Sequence, residues 1–301
     1  MLTSSNIDLD RRNKNESSIL DISVVAANYN NAPFLEDFFE AWKNSSTLPM
    51  ELIFIDDGSK DNSLEIAYKY EKEIPTLIIL PLGQNQGFGN ALNAGIKKAS
   101  CKYILRIDPD DIVLPERLVK QYEILESGKA DVVGSDAIIF QSKTGKDIGL
   151  TNFPQDHETI SKVVHRGEHG VLHPTVMAKT ELFKNNPYIQ ANVPAEDYDI
   201  FARMLNSGAK FYNIKEPLLR YRIHQRSASN VLPFSTIEKT YRIRDEIFST
   251  KTNKAFVIWY FLHIKCYRKY LFSDNKFKGL FYLGLASFLR PDKVLKKLLS
   301  L

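Results

Sequence analysis

The sequence predicts an α/β domain on a mainly parallel sheet with antiparallel additions, followed by a helical C-terminal appendage. Three observations carry this expectation. Short β-branched runs alternate with amphipathic segments of helical length over the first third of the chain, the pattern of βαβ crossovers whose strands are buried on both faces. The chain has 301 residues, 44% hydrophobic and 25% charged, a globular composition that excludes collagen-like, fibrous and disordered classes. The end of the chain differs in kind. Residues 239–301 hold 14 Lys/Arg against 4 Asp/Glu and 13 of the 34 aromatics, a net +10, which leaves −6 for the rest of a chain whose formal total is +4.

Residues 1–18 are polar and mixed in charge, with no apolar core for a signal peptide; they are expected to form a flexible leader, and export is not expected. The first strand is read at 19–27 (ILDISVVAA) with a helix from about Pro33, the second at 51–56 (ELIFID) with a helix from about Asn62. The third is read at 76–80 (TLIIL) with a helix from about Gly87, and the fourth at 102–108 (KYILRID). Beyond a fifth run at 131–140, turn signals at Lys143 to Gly145 and helices near 157–166 and 197–206 lead to strands near 210–214 and 218–223, read as antiparallel additions to the same domain. The domain is therefore set at 19–235, divided at 112/113 into two halves, with a basic aromatic helical region at 236–301. Cys101 and Cys266 are too few for a disulfide framework or a cysteine zinc site, which fits a reducing cytoplasm. The longest apolar stretches, 255–264 and 279–289, fall short of the ~18 residues that a membrane-spanning helix needs.

In sheets of this kind ligands sit beyond the carboxyl ends of the strands. The second strand ends in Ile55-Asp56-Asp57-Gly58-Ser59 and the fourth in Ile107-Asp108-Pro109-Asp110-Asp111. Ser59, Asp61 and Asn62 can cap one helix and Pro115-Glu116 open another, but capping does not explain five clustered acids. An extended Asp-Pro-Asp segment puts Asp108 and Asp110 on one side, and two hard oxygen ligands suit Mg²⁺ or Mn²⁺ bridging a diphosphate. The glycine-rich stretch from Leu82 to Gly95 opens a helix, a place that favours an anionic ligand. It is not a dinucleotide fingerprint, which would follow the first strand, where Ala27-Asn28-Tyr29-Asn30-Asn31 stands instead. Glu196 and Asp197 fall at a helix start, where the dipole stabilises acids and where an N-cap is the plainer reading. Arg220, Arg222 and Arg226 surround His224 near a strand end, cations suited to phosphate beside a residue suited to metal.

Taken in order, these pieces resemble the family 2 glycosyltransferases, nucleotide-sugar-dependent enzymes of the GT-A fold, a Rossmann-like and mainly parallel sheet. The resemblance covers about residues 20–230. It rests on SVVAANYN at 23–30, Ile55-Asp-Asp-Gly-Ser59, Asn85-x-Gly87 with Asn93-x-Gly95, the DxD motif Asp108-Pro-Asp-Asp111, Glu196-Asp197, and Tyr221-Arg-Ile-His224. It implies that Ala27, Asn28, Tyr29 and Asp57 hold the nucleoside, with Gly87 and Asn93 also in the nucleotide site. Asp108 is implied for ribose and metal, Asp110 as the direct metal ligand, and His224 as completing the metal shell. Asp197 is implied as the base that deprotonates the acceptor, and Glu196, Arg222 and Arg226 as acceptor or phosphate contacts.

The implied activity is inverting transfer, dependent on Mn²⁺ or Mg²⁺, from a nucleoside diphosphate sugar, by default a UDP-sugar. The implied acceptor is a hydroxyl of a saccharide or lipid-linked oligosaccharide at the inner face of the cytoplasmic membrane. Two departures stand out: Ala27-Asn28 replaces the Pro-Thr or Thr-Ser common before Tyr-Asn, and Leu92 replaces an arginine.

Two other classes compete. A haloacid-dehalogenase-like phosphatase also ends a strand in D-x-D, but near the first strand and with Thr or Val where Ile112 stands. A membrane-surface protein could act through 239–301, whose apolar, aromatic and basic segments read either as a cap on the domain or as a contact with an anionic membrane. Nucleic acid is not an expected partner, since no recognisable module accompanies the basic residues.

Overall fold

The computed structural model describes residues 18–224, 233–271, 273 and 275–291. The leader expected at 1–18 thus lies, except for Ser18, outside the described residues, as does Arg226. The first part of the chain runs β1 (Ser18–Asn28), α1 (Ala32–Lys43), β2 (Thr47–Asp56), α2 (Ser63–Glu71), β3 (Leu77–Pro81), α3 (Phe88–Lys98) and β4 (Tyr103–Arg106). It continues through β5 (Ile112–Val113), α4 (Arg117–Glu126), β6 (Val132–Gln141), β7 (Asp147–Leu150), α5 (His157–His165), β8 (Met177–Lys179), α6 (Thr180–Asn185), α7 (Glu196–Asn206) and β9 (Phe211–Ile223). Three helices follow: α8 (Phe234–Phe248), α9 (Lys254–Leu271) and α10 (Lys276–Leu289).

The strands form one sheet in the order β3-β2-β1-β4-β8-β6-β9-β5, with β7 paired to β6. β3, β2, β1 and β4 are parallel neighbours. β8 runs antiparallel to both β4 and β6, so β6 and its parallel neighbour β9 point the same way as the first four strands. Residues alternate between faces along β1, and both faces are covered. Ile22, Val24 and Ala26 join Leu35, Phe38, Phe39 and Trp42 of α1 and Leu118 of α4 in one core. Val25 and Ala27 join Ala91, Leu92 and Ile96 of α3 and Ile200 and Met204 of α7 in the other. Burying each of these larger side chains contributes ~1.5–3 kcal/mol. α3 lies close to the sheet because residue 95 is glycine: a Cβ there would stand 2.5 Å from Ile55 Cδ1 and 2.8 Å from Val25 Cγ1.

Two strands expected near 210–214 and 218–223 are one, and it is parallel to β6 rather than an antiparallel addition. The turn-like Glu216-Pro217 is absorbed by register shifts opposite Ser135 and Asp136, since a proline without an N–H is tolerated at a bulge. The antiparallel members are β5, β7 and β8.

α8 docks on the domain. Ile243 enters the core beside Phe201 and Tyr198, Lys239 Nζ donates to the carbonyls of Ala191 and Val193 at 2.9 and 2.6 Å, and the Phe248 ring stacks on His165 at 4.0 Å. Ile237 and Tyr241 of α8 meet Val257 of α9 in a small separate cluster. α10 is held to α9 through its buried Gly279 and Ala286 and by His263 Nδ1 donating to the Ala286 carbonyl at 2.9 Å. No helix among the described residues is long and apolar enough to cross a membrane.

Candidate active site

The loops after β1 and β2 are laced together by short polar side chains. Asn28 Nδ2 donates to Asp56 Oδ1 at 2.9 Å and to Ser59 Oγ at 3.1 Å. The Asn30 amide donates to Ser59 Oγ, the Ser59 amide to Asp56 Oδ2, and the Lys60 amide to Asn30 Oδ1, at 2.9, 3.0 and 2.7 Å. Asn30 holds φ +57°, a left-handed conformation that asparagine tolerates better than most residues. Asp56 is therefore a buried organiser. Asp57 accepts from the amides of Gln86 at 2.7 Å and Gly87 at 3.0 Å, which fastens the loop after β3 to the end of β2. Asn28 Oδ1 is buried without a hydrogen-bond partner, and Tyr29 stands exposed at the rim.

The glycine-rich loop departs from expectation. The Gly89 and Asn90 amides, expected to face an anion at the start of α3, donate to Gln190 Oε1 at 2.8 and 3.3 Å. A side chain satisfies the orphan amides of the helix start. Gly87, at φ +91°, leaves room for that side chain: a Cβ there would lie 2.4 Å from Gln190 Nε2. Asn93 is likewise corrected, because its amide donates to the Tyr188 carbonyl and accepts from the Tyr188 amide, both at 2.8 Å. It pins backbone instead of reaching a ligand. Leu92, where an arginine was the alternative, is a core residue of α3.

After β4, Asp108 receives both terminal nitrogens of the buried Arg106, one of them at 2.7 Å. Asp110 Oδ2 lies 2.9 Å from His224 Nε2, so the end of β9 meets the loop after β4 as the late histidine requires. Asp111 is buried, accepts from the Arg222 amide at 2.8 Å and keeps Oδ2 without a partner. Oxygens of Asp108, Asp110 and Asp111 all lie within 4.8 Å of one another. Burial pushes the Asp108 carboxyl up, Arg106 opposes this and Asp110 adds to it. Asp111 is pushed well above the usual carboxylate range, again by burial first and then by Asp110 and Asp108.

Crowded hard oxygens, an orphaned buried carboxylate oxygen and an imidazole at hydrogen-bonding distance form a donor set that fits Mg²⁺ or Mn²⁺. Arg222 is a correction. It is buried, its Nε donates to the Asp110 carbonyl at 2.6 Å and a terminal nitrogen to Asp37 Oδ2 at 2.7 Å, and it lies over the rings of Phe34 and Phe140. It braces the acidic loop against α1.

α7 begins after Ala195 with no side-chain cap, so the plain N-cap reading of Glu196 and Asp197 fails. Asp197 is partly exposed; its Oδ1 accepts from the Tyr198 amide at 2.7 Å and its Oδ2 lies 3.4 Å from His169 Nδ1. Glu196 is buried with Oε2 unpartnered, and burial, followed by the charge of Asp197, pushes its carboxyl up to about 7. The charge of Asp197 raises Asp108, and that of Asp108 raises Glu196, so the two acidic elements lie within electrostatic reach of each other.

Below them His173 Nε2 lies 2.7 Å from the Tyr188 hydroxyl, and burial with Arg106 nearby holds His173 neutral, well below its ordinary value. Sequence reasoning missed Arg106, Asp37, His173, Tyr188 and Gln190. Only Arg106 left a local sign, as a cation two residues before Asp108 in a buried strand.

Glu196 gives a prediction for stability. Its pKa of about 7 in the folded protein exceeds ~4.3 in the unfolded chain. Between those values the folded state keeps a proton that the unfolded state has lost, so stability falls as pH rises from ~4.5 to ~7, by up to ~3 kcal/mol. Glu196→Gln is expected to flatten that slope and to raise the urea midpoint above pH 7 in metal-free buffer. Parallel pH curves for the two proteins would contradict it.

The family model for Glycosyl transferase family 2 matches residues 23–187, from β1 through both strand-end loops and the DxD motif to the residues that follow α6. The chain belongs to this family. This glycosyltransferase is 30% identical over 215 residues to the O-antigen biosynthesis glycosyltransferase WbnJ of Escherichia coli, an alignment covering 69% of this chain and 82% of the relative. Its fold matches that of S. aureus TarS 1-349 in complex with UDP-GlcNAc, with TM-score 0.64 and 19% identity over 91% of this chain and 83% of the other. It also matches the mannosyltransferase PcManGT of Pyrobaculum calidifontis in complex with GDP-Man and Mn²⁺, with TM-score 0.56 and 14% identity over 92% and 83%. The GT-A architecture is thereby established for this glycosyltransferase, and the phosphatase class is set aside.

Proposed function

We propose that this enzyme transfers a sugar from a nucleoside diphosphate sugar, a UDP-sugar in the first instance, to a hydroxyl of a saccharide or lipid-linked acceptor, with inversion. The observation that carries the proposal is the cluster of Asp108, Asp110 and Asp111 oxygens after β4, all within 4.8 Å of one another, with Glu196-Asp197 at the start of α7 near enough for the charge of each element to raise a carboxyl of the other. The names of the similar proteins support it: WbnJ acts in O-antigen biosynthesis, TarS was captured with UDP-GlcNAc and PcManGT with GDP-Man and Mn²⁺.

In this proposal the nucleoside lies against the loops after β1 and β2, with Tyr29 open to stack and Asn28 and Asp57 at hand for polar contacts. Asp110 and His224, with Asp108 steadied by Arg106, would hold Mn²⁺ or Mg²⁺. Such an ion neutralises charge on a departing diphosphate. Asp197 takes the acceptor's hydroxyl proton as that oxygen bonds to the anomeric carbon and the bond to the diphosphate breaks. Glu196, half-protonated near neutral pH, borders the acceptor side. Residues 19–112 then form the nucleotide-sugar half, 113–235 the acceptor half and 236–301 a basic aromatic helical region fastened to the domain through α8, in a cytoplasmic enzyme.

The test is a panel of nucleoside diphosphate sugars incubated with enzyme and Mn²⁺. Release of UDP from at least one UDP-sugar is expected. Release of none of the nucleotides would overturn the proposal.

A further inference from the structure

α10 turns its largest apolar side chains to solvent. Phe277, Leu280, Phe281 and Phe288 are 86%, 59%, 64% and 84% exposed, and Leu285 is exposed as well. Their spacing, i, i+3, i+4, i+8 and i+11, draws one continuous stripe along the helix. Gly284, with open space above it, fills the i+7 position. The opposite side is the one that packs, through Gly279 and Ala286. Helix α9 adds a parallel line at i, i+4, i+7 and i+11: Ile258 and Leu262, exposed, then Lys265 and Lys269, also exposed. Soluble surfaces seldom carry so contiguous an apolar stripe unless something covers it.

The charge around the stripe selects what covers it. From Lys254 to Pro291 the chain has seven Lys/Arg and one acid, Asp274. Lys276 and Lys278 are exposed on either side of Phe277. A second copy of this chain would bring the same positive charge onto the face and be repelled. An anionic bilayer supplies both complements, an apolar interior for the rings and phosphates for the lysines. At 14 residues, α10 is suited to lie in the interface rather than cross it.

We propose that the outer face of α9 and α10 docks this enzyme on an anionic membrane, with Phe277, Phe281 and Phe288 inserted at the headgroup boundary and Lys265, Lys269, Lys276 and Lys278 on lipid phosphates. The surface does not depend on which donor or base the active site uses.

The experiment is flotation of the full-length protein with vesicles of phosphatidylcholine alone or with about a third phosphatidylglycerol. Binding to the anionic vesicles only, weakened by high salt, is expected. The variant carrying Phe277→Ser, Phe281→Ser and Phe288→Ser should lose about tenfold or more of that partition, and Lys276→Glu with Lys278→Glu a smaller part. Both should keep their thermal melt and their turnover of donor without vesicles. Should the triple variant fail to fold, the lysine pair decides. Equal binding to neutral vesicles would overturn the proposal, as would full binding by the variants. A wild-type dimer that the triple variant makes monomeric would do so too, by placing a second copy on this face.

Discussion

Asp197→Asn is expected to lower the rate of transfer ~10²–10⁴-fold, the range that a general base supplies, while donor affinity stays close to that of the wild type. Asparagine matches aspartate in size and can still accept the Tyr198 amide through its Oδ1, so a loss of this size would report chemistry rather than collapse of the α7 start. In the proposed mechanism, what disappears is the ability to take a proton from the acceptor hydroxyl. Single-turnover transfer with saturating donor is the measurement, because it separates chemistry from product release. Glu196→Gln is the contrast: with a carboxyl pushed up to about 7, Glu196 is already part-protonated at neutral pH, and its loss should cost much less. Full activity in Asp197→Asn would remove Asp197 as the base and point to its neighbour.

Removing the metal is the second large effect. An excess of chelator is expected to abolish transfer and added Mn²⁺ to restore it. Asp110→Asn should leave ~10²–10³-fold less activity, since a Lewis acid contributes several kcal/mol and each ~1.4 kcal/mol is tenfold. Asp110 is the sharper probe because Asp108 is engaged by Arg106 whereas Asp110 turns its Oδ2 to His224. His224→Ala should act in the same direction and more weakly. Asp110→Asn with full turnover in the presence of chelator would remove the metal from the mechanism.

Much of the site could be read from sequence because its residues sit where buried strands end. β1 and β2 end in Asn28 and Asp56; Asp57 and Asp108 to Asp111 follow just beyond β2 and β4, and an apolar run followed closely by acids has a local signature. What could not be read depends on partners far apart along the chain. Arg222 looked like a phosphate contact until its guanidinium was seen to bridge Asp37, 185 residues away, and the Asp110 carbonyl. Asn93 looked like part of a ligand loop, yet both ends of its amide are held by Tyr188, and α3 is capped by Gln190 from outside its own segment.

In the fold, β5 and β8 span two and three residues, too few for alternation to register. β9 was divided at Pro217 because its bulge exists only opposite β6. The charge asymmetry of 239–301 was visible at once. Its meaning was not, since only the folded pair α9 and α10 shows which apolar residues face outward.

The proposed function turns on binding of a nucleoside diphosphate through a divalent ion at the acidic loop after β4. Calorimetric titration of UDP into the protein with Mn²⁺ tests it most directly, repeated with excess chelator and with Asp110→Asn. The expected result is saturable binding in Mn²⁺ that weakens about tenfold or more in both other conditions, as loss of a charge-neutralising ligand requires. Absence of UDP and GDP binding in all three, or binding indifferent to both metal and Asp110, would contradict it.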